Sequence, residues 1–341
     1  KSWRRHLRDQ QKGIALLDNQ NPLRVDGEID LIDHLRQRFT KPPKGLPGVG
    51  LPGVGLPGVR LPGVGLPELI VGIGDDAAVL RAGGKNVLLT TDAMVEGVHF
   101  DMAFATPFQV GHKLVSVNVS DIYAMSGIPA YMLMTMSIPV GRVAEADGFV
   151  AGFLDGIESA LATYAVELIG GDVTSSRGGI SVSATLVGFT ERPVLRNGAM
   201  AGDGIYVTGN LGDSACGLHL LQRINRPVAI ERPETITETM TETMSPPLAW
   251  QVIAPLLRRH LMPVVSAPVD VSKATAMMDI SDGLSIDLRR LCTNSGVGAR
   301  VYESLLPQSV EMIEAAAFLG LNTTMLALCG GGGLPIPLHI T

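Results

Sequence analysis

Apolar residues follow the two periods typical of strands and helices from about residue 87 onward. Strand-like runs are "VLLTTD" (87–92), "AYMLMTMSI" (130–138) and "GISVSATLVGF" (179–189), and helix-like runs are "TPFQVGHKLVSVNVSDIYAMSG" (106–127) and "ADGFVAGFLDGIESALATYAV" (146–166). Thr106 is the expected N-cap of the first helix, with Pro107 in its first turn. Because strands and helices alternate, the pattern predicts an α/β or α+β domain.

The pattern restarts beyond Glu191 with "DGIYVTG" and the helix-like "SACGLHLLQRI". We therefore expect a second domain from about residue 195 to 341, after an N-terminal domain over 27–190 and a basic, polar extension over 1–26. The acidic Thr-Met tract within 225–247 is expected to be a solvated loop or connecting segment.

Two features precede the first strand. "EIDLIDHLRQRF" places Ile29, Ile32, Leu35 and Phe39 on one helical face. The repeat "GLPGV" then recurs within 41–67, and units of this length cannot bury a core, so we expect a flexible insertion. The repeat also spells "GVGLPG", but neither copy follows a strand or opens a helix, which argues against dinucleotide binding.

Composition excludes several classes of function. The 341 residues are 46% hydrophobic and carry a formal net charge of -6, which gives no general reason to expect a nucleic-acid or anionic-membrane partner. The three cysteines are far apart and lack zinc-site spacing, which fits a reducing cytoplasm. We expect no membrane segment, because the apolar runs are short and the first residues lack the apolar core of a signal peptide.

The candidate chemistry lies in aspartates that follow segments expected to be buried. They occur beside Gly, Ser or Thr in five places: Asp75 and Asp76 in "GIGDDAA", Asp92 with Thr90, Thr91 and His99 in "LTTDAMVEGVHF", Asp121 in "NVSDIYAMSG", Asp172 in "IGGDVTSS", and Asp279 and Asp282 in "DISDGL". Each alone is more typical of a helix cap or a turn. Together they favour compensation by hard divalent cations such as magnesium, and hence a polyphosphate ligand.

Common phosphate-binding and hydrolase motifs are absent from the sequence. There is no G-x-x-x-x-G-K-[ST] loop, no H-R-D signature and no G-x-S-x-G elbow. Charge neutralisation would then fall to carboxylate-held magnesium, with Arg196 either a phosphate clamp or an ordinary surface arginine.

The motifs resemble those of the thiamine-monophosphate kinase family, in the superfamily of aminoimidazole ribonucleotide synthetase and selenophosphate synthetase. The resemblance runs from about Gly27 to Leu328 and rests on "VGIGDDAAVL", "TTDAMVEGVHF", "VNVSDIYAMSG", "LIGGDVT", "RNGAMAGDGIYVTGNLGDSACGL" and "MMDISDGLSIDL". "GGDVTSSRG" stands where aminoimidazole ribonucleotide synthetase would show a "GGETAEMPG"-like segment. No cysteine precedes Cys216, although selenophosphate synthetase would need a reactive one there.

This resemblance implies a two-domain α/β (α+β) synthetase-like fold, whose N-terminal sheets pair across a homodimer into a β-barrel beside a C-terminal α/β domain. It implies transfer of the ATP γ-phosphoryl group to thiamine monophosphate, giving thiamine diphosphate, without a phosphoenzyme. Asp92, Asp121 and Asp172 would be catalytic. The magnesium ligands would be Asp76, Thr90, Thr91, Asp92, Asp121, Asp172, Asp279 and Asp282. Gly171, Asp172, Arg196 and Ser281 would contact ATP, and His99 would lie at the thiamine phosphate site.

Some residues keep a second interpretation. Asp75 is either a metal ligand or a turn residue, and His99 is either a substrate contact or a buried core histidine. "DISDGL" should end a strand and begin a helix, so that Asp279, Ser281 and Asp282 face metal-bound phosphate at a helix N-terminus. Asp287 is expected to be a surface residue of that helix.

The C-terminal sequence departs from the family. After "LALCGG" the family continues with a "GGEDYEL"-like strand, but this chain reads "CGGGGLPIPLHIT", with no acidic residue after Glu314. Val173 also replaces the Thr that usually follows "GGD". We therefore expect a truncated or frame-shifted end and an incomplete C-terminal domain. This leaves an alternative to an active kinase: an inactive relative that binds nucleotide, or a synthetase of the same fold with another small substrate.

Overall fold

The computed structural model describes the chain over 67–139, 146–230, 248–267 and 271–330, together with three short strands and Leu35. The chain divides into two units, one formed by 1–66 and 72–74 and the other by 67–71 and 75–341. In the first unit, β1 (Leu16–Asp18) and β2 (Asn21–Leu23) form an antiparallel ladder, and Leu35 is helical. Apart from Leu35 and Pro67, the predicted first helix and the "GLPGV" insertion lie outside the described residues.

A six-stranded sheet forms the N-terminal half of the second unit, in the order β3-β4-β5-β8-β6-β7. Its strands are β3 (Glu68–Val71), β4 (Ala78–Ala82), β5 (Lys85–Val95), β6 (Ile128–Pro139), β7 (Glu167–Ser176) and β8 (Ser181–Thr190). All neighbours are antiparallel except β6 and β7. The three predicted strands correspond to β5, β6 and β8 and are confirmed.

Two helices accompany this sheet, α1 (Pro107–Ala124) and α2 (Ala146–Tyr164). Thr106 begins α1 with a capping box: its hydroxyl accepts a hydrogen bond from the Gln109 amide (3.3 Å), and the Gln109 side chain accepts one from the Thr106 amide (2.9 Å). The predicted cap and the proline in the first turn are therefore confirmed.

The C-terminal half of this unit contains a three-stranded sheet in the order β10-β11-β9 and five further helices within the described residues. The strands are β9 (Ile205–Val207), β10 (Ala276–Met278) and β11 (Leu338–Ile340), and the helices are α3 (Asp213–Ile224), α4 (Trp250–Leu261), α5 (Leu284–Ser295), α6 (Val310–Leu319) and α7 (Thr323–Cys329). β11 pairs antiparallel with both of its neighbours and is therefore the central strand of this sheet.

One hydrophobic core connects both halves. It contains Leu88 of the sheet and Leu114 of α1, together with Leu220 of α3 and Leu256 of α4, each fully buried. Burial of this kind stabilises a fold by about 1.5–3 kcal/mol for each large apolar side chain. The mixed α/β architecture is confirmed, whereas the domain boundary near residue 195 stays a prediction.

The remaining expectations concern cysteines and membranes. Cys216, Cys292 and Cys329 are all free thiols, and the cytoplasmic location stays a prediction. Among the described residues no single helix is long and apolar enough to span a bilayer. Taken together, α6 and α7 are long and apolar enough for one membrane-spanning segment, but the two helices meet at an angle of 114°.

Contact between α1 and α2 depends on two glycines. A Cβ at Gly111 would lie 2.1 Å from the Phe153 carbonyl oxygen, and a Cβ at Gly156 would lie 1.9 Å from that of Phe108. Neither distance is possible for a real Cβ atom. The two helix backbones can therefore approach this closely only because both positions are glycine.

We predict that Gly156→Ala lowers the free energy of unfolding by about 3 kcal/mol or more, because the helices must separate to admit the methyl group. Gly152→Ala on the same helix is the matched control. Its Cβ would meet Pro107 at 3.3 Å, and the higher helix propensity of Ala offsets that contact by about 1 kcal/mol. Urea unfolding of both variants measures the difference. Equal stability of the two would show that the close approach is not required.

Candidate metal and phosphate site

Three aspartates from distant parts of the chain meet at one buried point. Asp76 follows β3, Asp121 is in the last turn of α1, and Asp279 follows β10 directly. Each offers a carboxylate oxygen, and these oxygens all lie within 4.8 Å of one another. Asp76 and Asp279 are buried, at 8% and 7% exposure, and Asp121 is at least half-buried. The structure therefore brings together three of the residues predicted to bind magnesium.

Residues of β5 contact α1 beside the cluster. Thr90 and Asp92 extend from the helix-facing side of β5, since they alternate with the exposed Thr91. The Thr90 hydroxyl donates a hydrogen bond to Asp121 Oδ2 at 2.5 Å, and the Asp92 amide donates to Asn118 Oδ1 at 3.1 Å. β5 and α1 are thus joined beside the cluster.

Burial and repulsion between carboxylates raise the pKa values of Asp121 and Asp279. Burial is the main cause of the raised pKa of Asp121, followed by repulsion from Asp92 and Asp76. Burial also raises the pKa of Asp279, with further contributions from Asp76 and Asp121. Two ionised carboxylates cannot hydrogen-bond to each other, and buried Asp76 Oδ2 has no hydrogen-bond partner in the described part of the chain. The cluster is therefore suited to a cation.

Arg196 supplies positive charge at this point from the segment that joins the two halves. Its Nη2 donates to Asp76 Oδ1 in a partly buried ion pair. Burial alone would lower the pKa of the guanidinium, but Asp76, Asp279 and Asp75 together raise it, so Arg196 stays charged. Since its side chain is only 20% exposed, the interpretation of Arg196 as a surface arginine is wrong.

Asp75 and His99 had two interpretations each. The Asp75 carboxylate accepts backbone hydrogen bonds from Arg196 and Asp76, and burial and Asp76 raise its pKa to about 6. His99 is exposed, so the alternative of a buried core histidine is wrong. Its Nδ1 accepts a hydrogen bond from the Val95 amide at 3.1 Å.

Other predicted site residues lie outside the cluster in a single chain. Thr91 is exposed on the opposite face of β5, where its hydroxyl donates to the Ala184 carbonyl at 2.9 Å. Gly171 and Asp172 are exposed on β7. Strand pairing places Gly171, the neighbour of Asp172, in the same row across the sheet as Asp92. Three strand spacings separate β5 from β7, so Asp172 and Asp92 are roughly 14 Å apart.

The "DISDGL" segment ends β10 and leads into α5, as predicted, with Ser281 half-buried and Asp282 exposed. Asp282 pairs with Arg290 at 2.7 Å. The prediction that Asp287 is a surface residue is wrong, since this residue is fully buried. Its Oδ2 accepts the amides of Ser281 (3.0 Å) and Asp282 (2.9 Å), so it fixes the loop after Asp279. Asp287 occupies the same helical stripe as Leu284, Leu288 and Leu291, and that position in the sequence could have indicated its burial.

Two family models match successive parts of this chain. Residues 74–190 match the family model of the AIR synthase related protein N-terminal domain, and residues 200–333 match that of its C-terminal domain. Asp76 and Asp121 lie in the first match and Asp279 in the second, so the cluster draws on both. Arg196 lies between them.

Individual relatives share one name. The thiamine-monophosphate kinase of Aquifex aeolicus is 37% identical over 264 residues, which are 76% of this chain and 77% of the relative. That of Bacillus subtilis is 33% identical over 70% of this chain and 68% of its own length. The solved structure of AaThiL complexed with AMPPCP and TMP superposes with a TM-score of 0.71 at 32% identity, covering 93% of this chain and 86% of that one. The chain therefore belongs to the thiamine-monophosphate kinase family.

Proposed function

We propose that this protein transfers the γ-phosphoryl group of ATP to the phosphate of thiamine monophosphate, giving thiamine diphosphate and ADP. The observation that carries the proposal is the buried cluster of Asp76, Asp121 and Asp279 with Arg196 beside it. Relatives at 33–37% identity are thiamine-monophosphate kinases, and the AaThiL complex contains AMPPCP, an analogue of ATP, and TMP. These comparisons do not favour an inactive relative or a synthetase with another substrate.

The donor set fits magnesium. Asp76, Asp121 and Asp279 offer hard carboxylate oxygens, and the unpartnered Asp76 Oδ2 is the atom that most needs a cation. Bound magnesium would neutralise phosphate charge and bridge carboxylate and phosphate oxygens. Thr90, Asp92 and Asp282 are proposed as further ligands, although the Asp282 carboxylate pairs with Arg290 in the single chain. Thr91 and Asp172 remain predicted ligands, although the single chain does not place their side chains in the cluster.

The remaining residues align the two substrates. Arg196 is charged and fixed beside Asp76, so it can hold a nucleotide phosphate oxygen, and Gly171 and Ser281 are proposed to contact the same nucleotide. His99 accepts the Val95 amide through Nδ1, so a neutral ring carries its proton on Nε2 and can donate it to the phosphate of thiamine monophosphate. The attacking phosphate is already ionised and needs little general-base assistance. Catalysis then rests on alignment and charge neutralisation, with Asp92, Asp121 and Asp172 as the proposed catalytic carboxylates.

A homodimer is also proposed, with the uncovered face of the large sheet as its interface. Tyr131 and Leu133 of β6 are 40% and 41% exposed, and Leu168, Ile169 and Val173 of the edge strand β7 are exposed as well. Apolar side chains exposed on a sheet face and along its edge strand are typical of an interface. A second copy would cover both, and would pair the two sheets as in the expected β-barrel.

We predict ADP release that requires both Mg²⁺ and thiamine monophosphate when the purified protein is given ATP. A coupled ADP assay measures it. Stabilisation of the protein by ATP against thermal unfolding, without release that depends on thiamine monophosphate, would contradict the proposed reaction.

Asp121→Asn should lower this release by about 10²–10³-fold, since it removes a carboxylate from the cluster. The same variant should be more stable than wild type when no divalent cation is added, because the neutral amide relieves the burial and repulsion that raise the pKa of Asp121. Asp155→Asn, on an exposed position of α2, is the control and should change neither. Full activity in Asp121→Asn would exclude the proposed metal site.

Leu133→Lys should convert the dimer to a monomer, measured by sedimentation velocity, because a charge would be buried at the interface. Leu154→Lys is the matched control, since Leu154 on α2 is also 41% exposed but lies away from the sheet. Dimers of unchanged affinity in Leu133→Lys would place the interface elsewhere.

A further inference from the structure

Asp75 contacts the site through backbone groups instead of through the cluster. Its Oδ1 accepts the amide of Asp76 at 3.1 Å, and Oδ1 and Oδ2 accept the amide of Arg196 at 3.3 Å and 3.2 Å. Its side chain is only 9% exposed. Asp75 is not among the three residues whose oxygens converge at the cluster. The carboxylate therefore joins two backbone segments that are 121 residues apart in sequence.

The segment that carries Arg196 is held from the other side by the C-terminal half. The Leu195 carbonyl accepts the amide of Met277 in β10 at 2.9 Å, two residues before Asp279. The Ser295 hydroxyl at the end of α5 donates to the Arg196 carbonyl at 3.1 Å. These bonds fix residues 195 and 196 against β10 and α5, and Asp75 fixes residue 196 against the loop that carries Asp76.

The Arg196 side chain is less constrained by Asp75 than its backbone is. Nη2 is bound to Asp76, whereas Nε lies 4.0 Å from Asp75 Oδ1, which is too far for a hydrogen bond. Nε has no hydrogen-bond partner among the described residues. Asp75 thus acts on Arg196 through the backbone amide and through its charge.

We propose that Asp75 is a positioning residue that holds the Arg196 guanidinium and the Asp76 carboxylate at one place, where the magnesium-bound phosphates of the nucleotide are to lie. Asp76 then gives one oxygen to Arg196 and keeps the other for the cation. The identity of the ligand rests on the proposed function, but the positioning of Arg196 by Asp75 rests on the hydrogen bonds of Asp75.

The test is a double-mutant cycle on binding of AMPPCP with Mg²⁺, measured by calorimetry. Asp75→Ala should weaken binding about tenfold, or roughly 1.4 kcal/mol, and Arg196→Met should weaken it at least as much. The double variant should lose less affinity than the sum of the two single losses, because Asp75 acts in large part through Arg196. Asp75→Asn should lose less than Asp75→Ala, since the amide oxygen still accepts a backbone hydrogen bond. Additive losses, or wild-type affinity in Asp75→Ala, would overturn the proposal.

The matched control is Asp203→Ala. Asp203 also ties two segments together, accepting the Met200 amide and the Thr275 hydroxyl at 2.8 Å each, but it does not contact Arg196. This variant should keep wild-type AMPPCP affinity. A loss equal to that of Asp75→Ala would mean that any loosening of this region weakens binding, and would overturn the specific role of Asp75.

A second readout does not depend on nucleotide binding. Amide hydrogen exchange at Arg196, followed by NMR, should be at least tenfold faster in Asp75→Ala than in wild type, because the amide loses its acceptor. An unchanged exchange rate of the Arg196 amide would refute the positioning role of Asp75. If the wild-type protein binds no AMPPCP, the proposed function fails, and the exchange rates still decide whether Asp75 holds Arg196.

Discussion

Burial of like charges is the constraint on which the arrangement of this protein depends. Asp76, Asp121 and Asp279 bring carboxylate oxygens within 4.8 Å of one another in the interior, where ionised groups are costly unless they are paired. Arg196 compensates one of these charges through Asp76. Asp121 and Asp279 have raised pKa values, so a further positive charge at this point would be favourable. Replacing buried charges by apolar residues of similar volume is often neutral or stabilising, so ligand binding explains the cluster better than stability does.

The two halves of the chain are consequently joined in two different ways. Apolar side chains such as Leu88 and Leu256 belong to one core. The hydrophobic effect that stabilises this core is non-directional, so it tolerates some change of shape. The polar contacts of Asp75, Arg196 and Ser295 have fixed directions and determine where the joining segment runs. The core provides the stability of the joint, and these hydrogen bonds provide its geometry. Phosphoryl transfer depends on alignment, so the second contribution is the one that bears on function.

Local signals in the sequence were sufficient for much of the N-terminal fold. The N-cap at Thr106 and the alternation in β8 involve neighbours in sequence, and both were predicted correctly. β7 was not predicted, because "ELIGGDVTSS" contains residues typical of turns and becomes a strand through parallel pairing with β6, a non-local contact. α4 was also missed, since Pro255 lies inside it. The type of chemistry at Asp76, Asp121 and Asp279 followed from their residue types, but their convergence follows only from the tertiary fold.

Residues that fix the site were harder to predict than residues that would bind the ligand. Asp287 and Asp75 are both short acidic side chains beside predicted ligands, and sequence alone gives them the same chemistry. In the structure each accepts two backbone amides, of Ser281 and Asp282 in one case and of Asp76 and Arg196 in the other. Nearly every residue has a backbone amide, so no sequence pattern shows which amides a carboxylate will bind. Such contacts are visible only in the structure. Since both carboxylates hold loops that carry predicted metal or phosphate contacts, the precision of this site depends on acidic residues that need not touch the ligand at all.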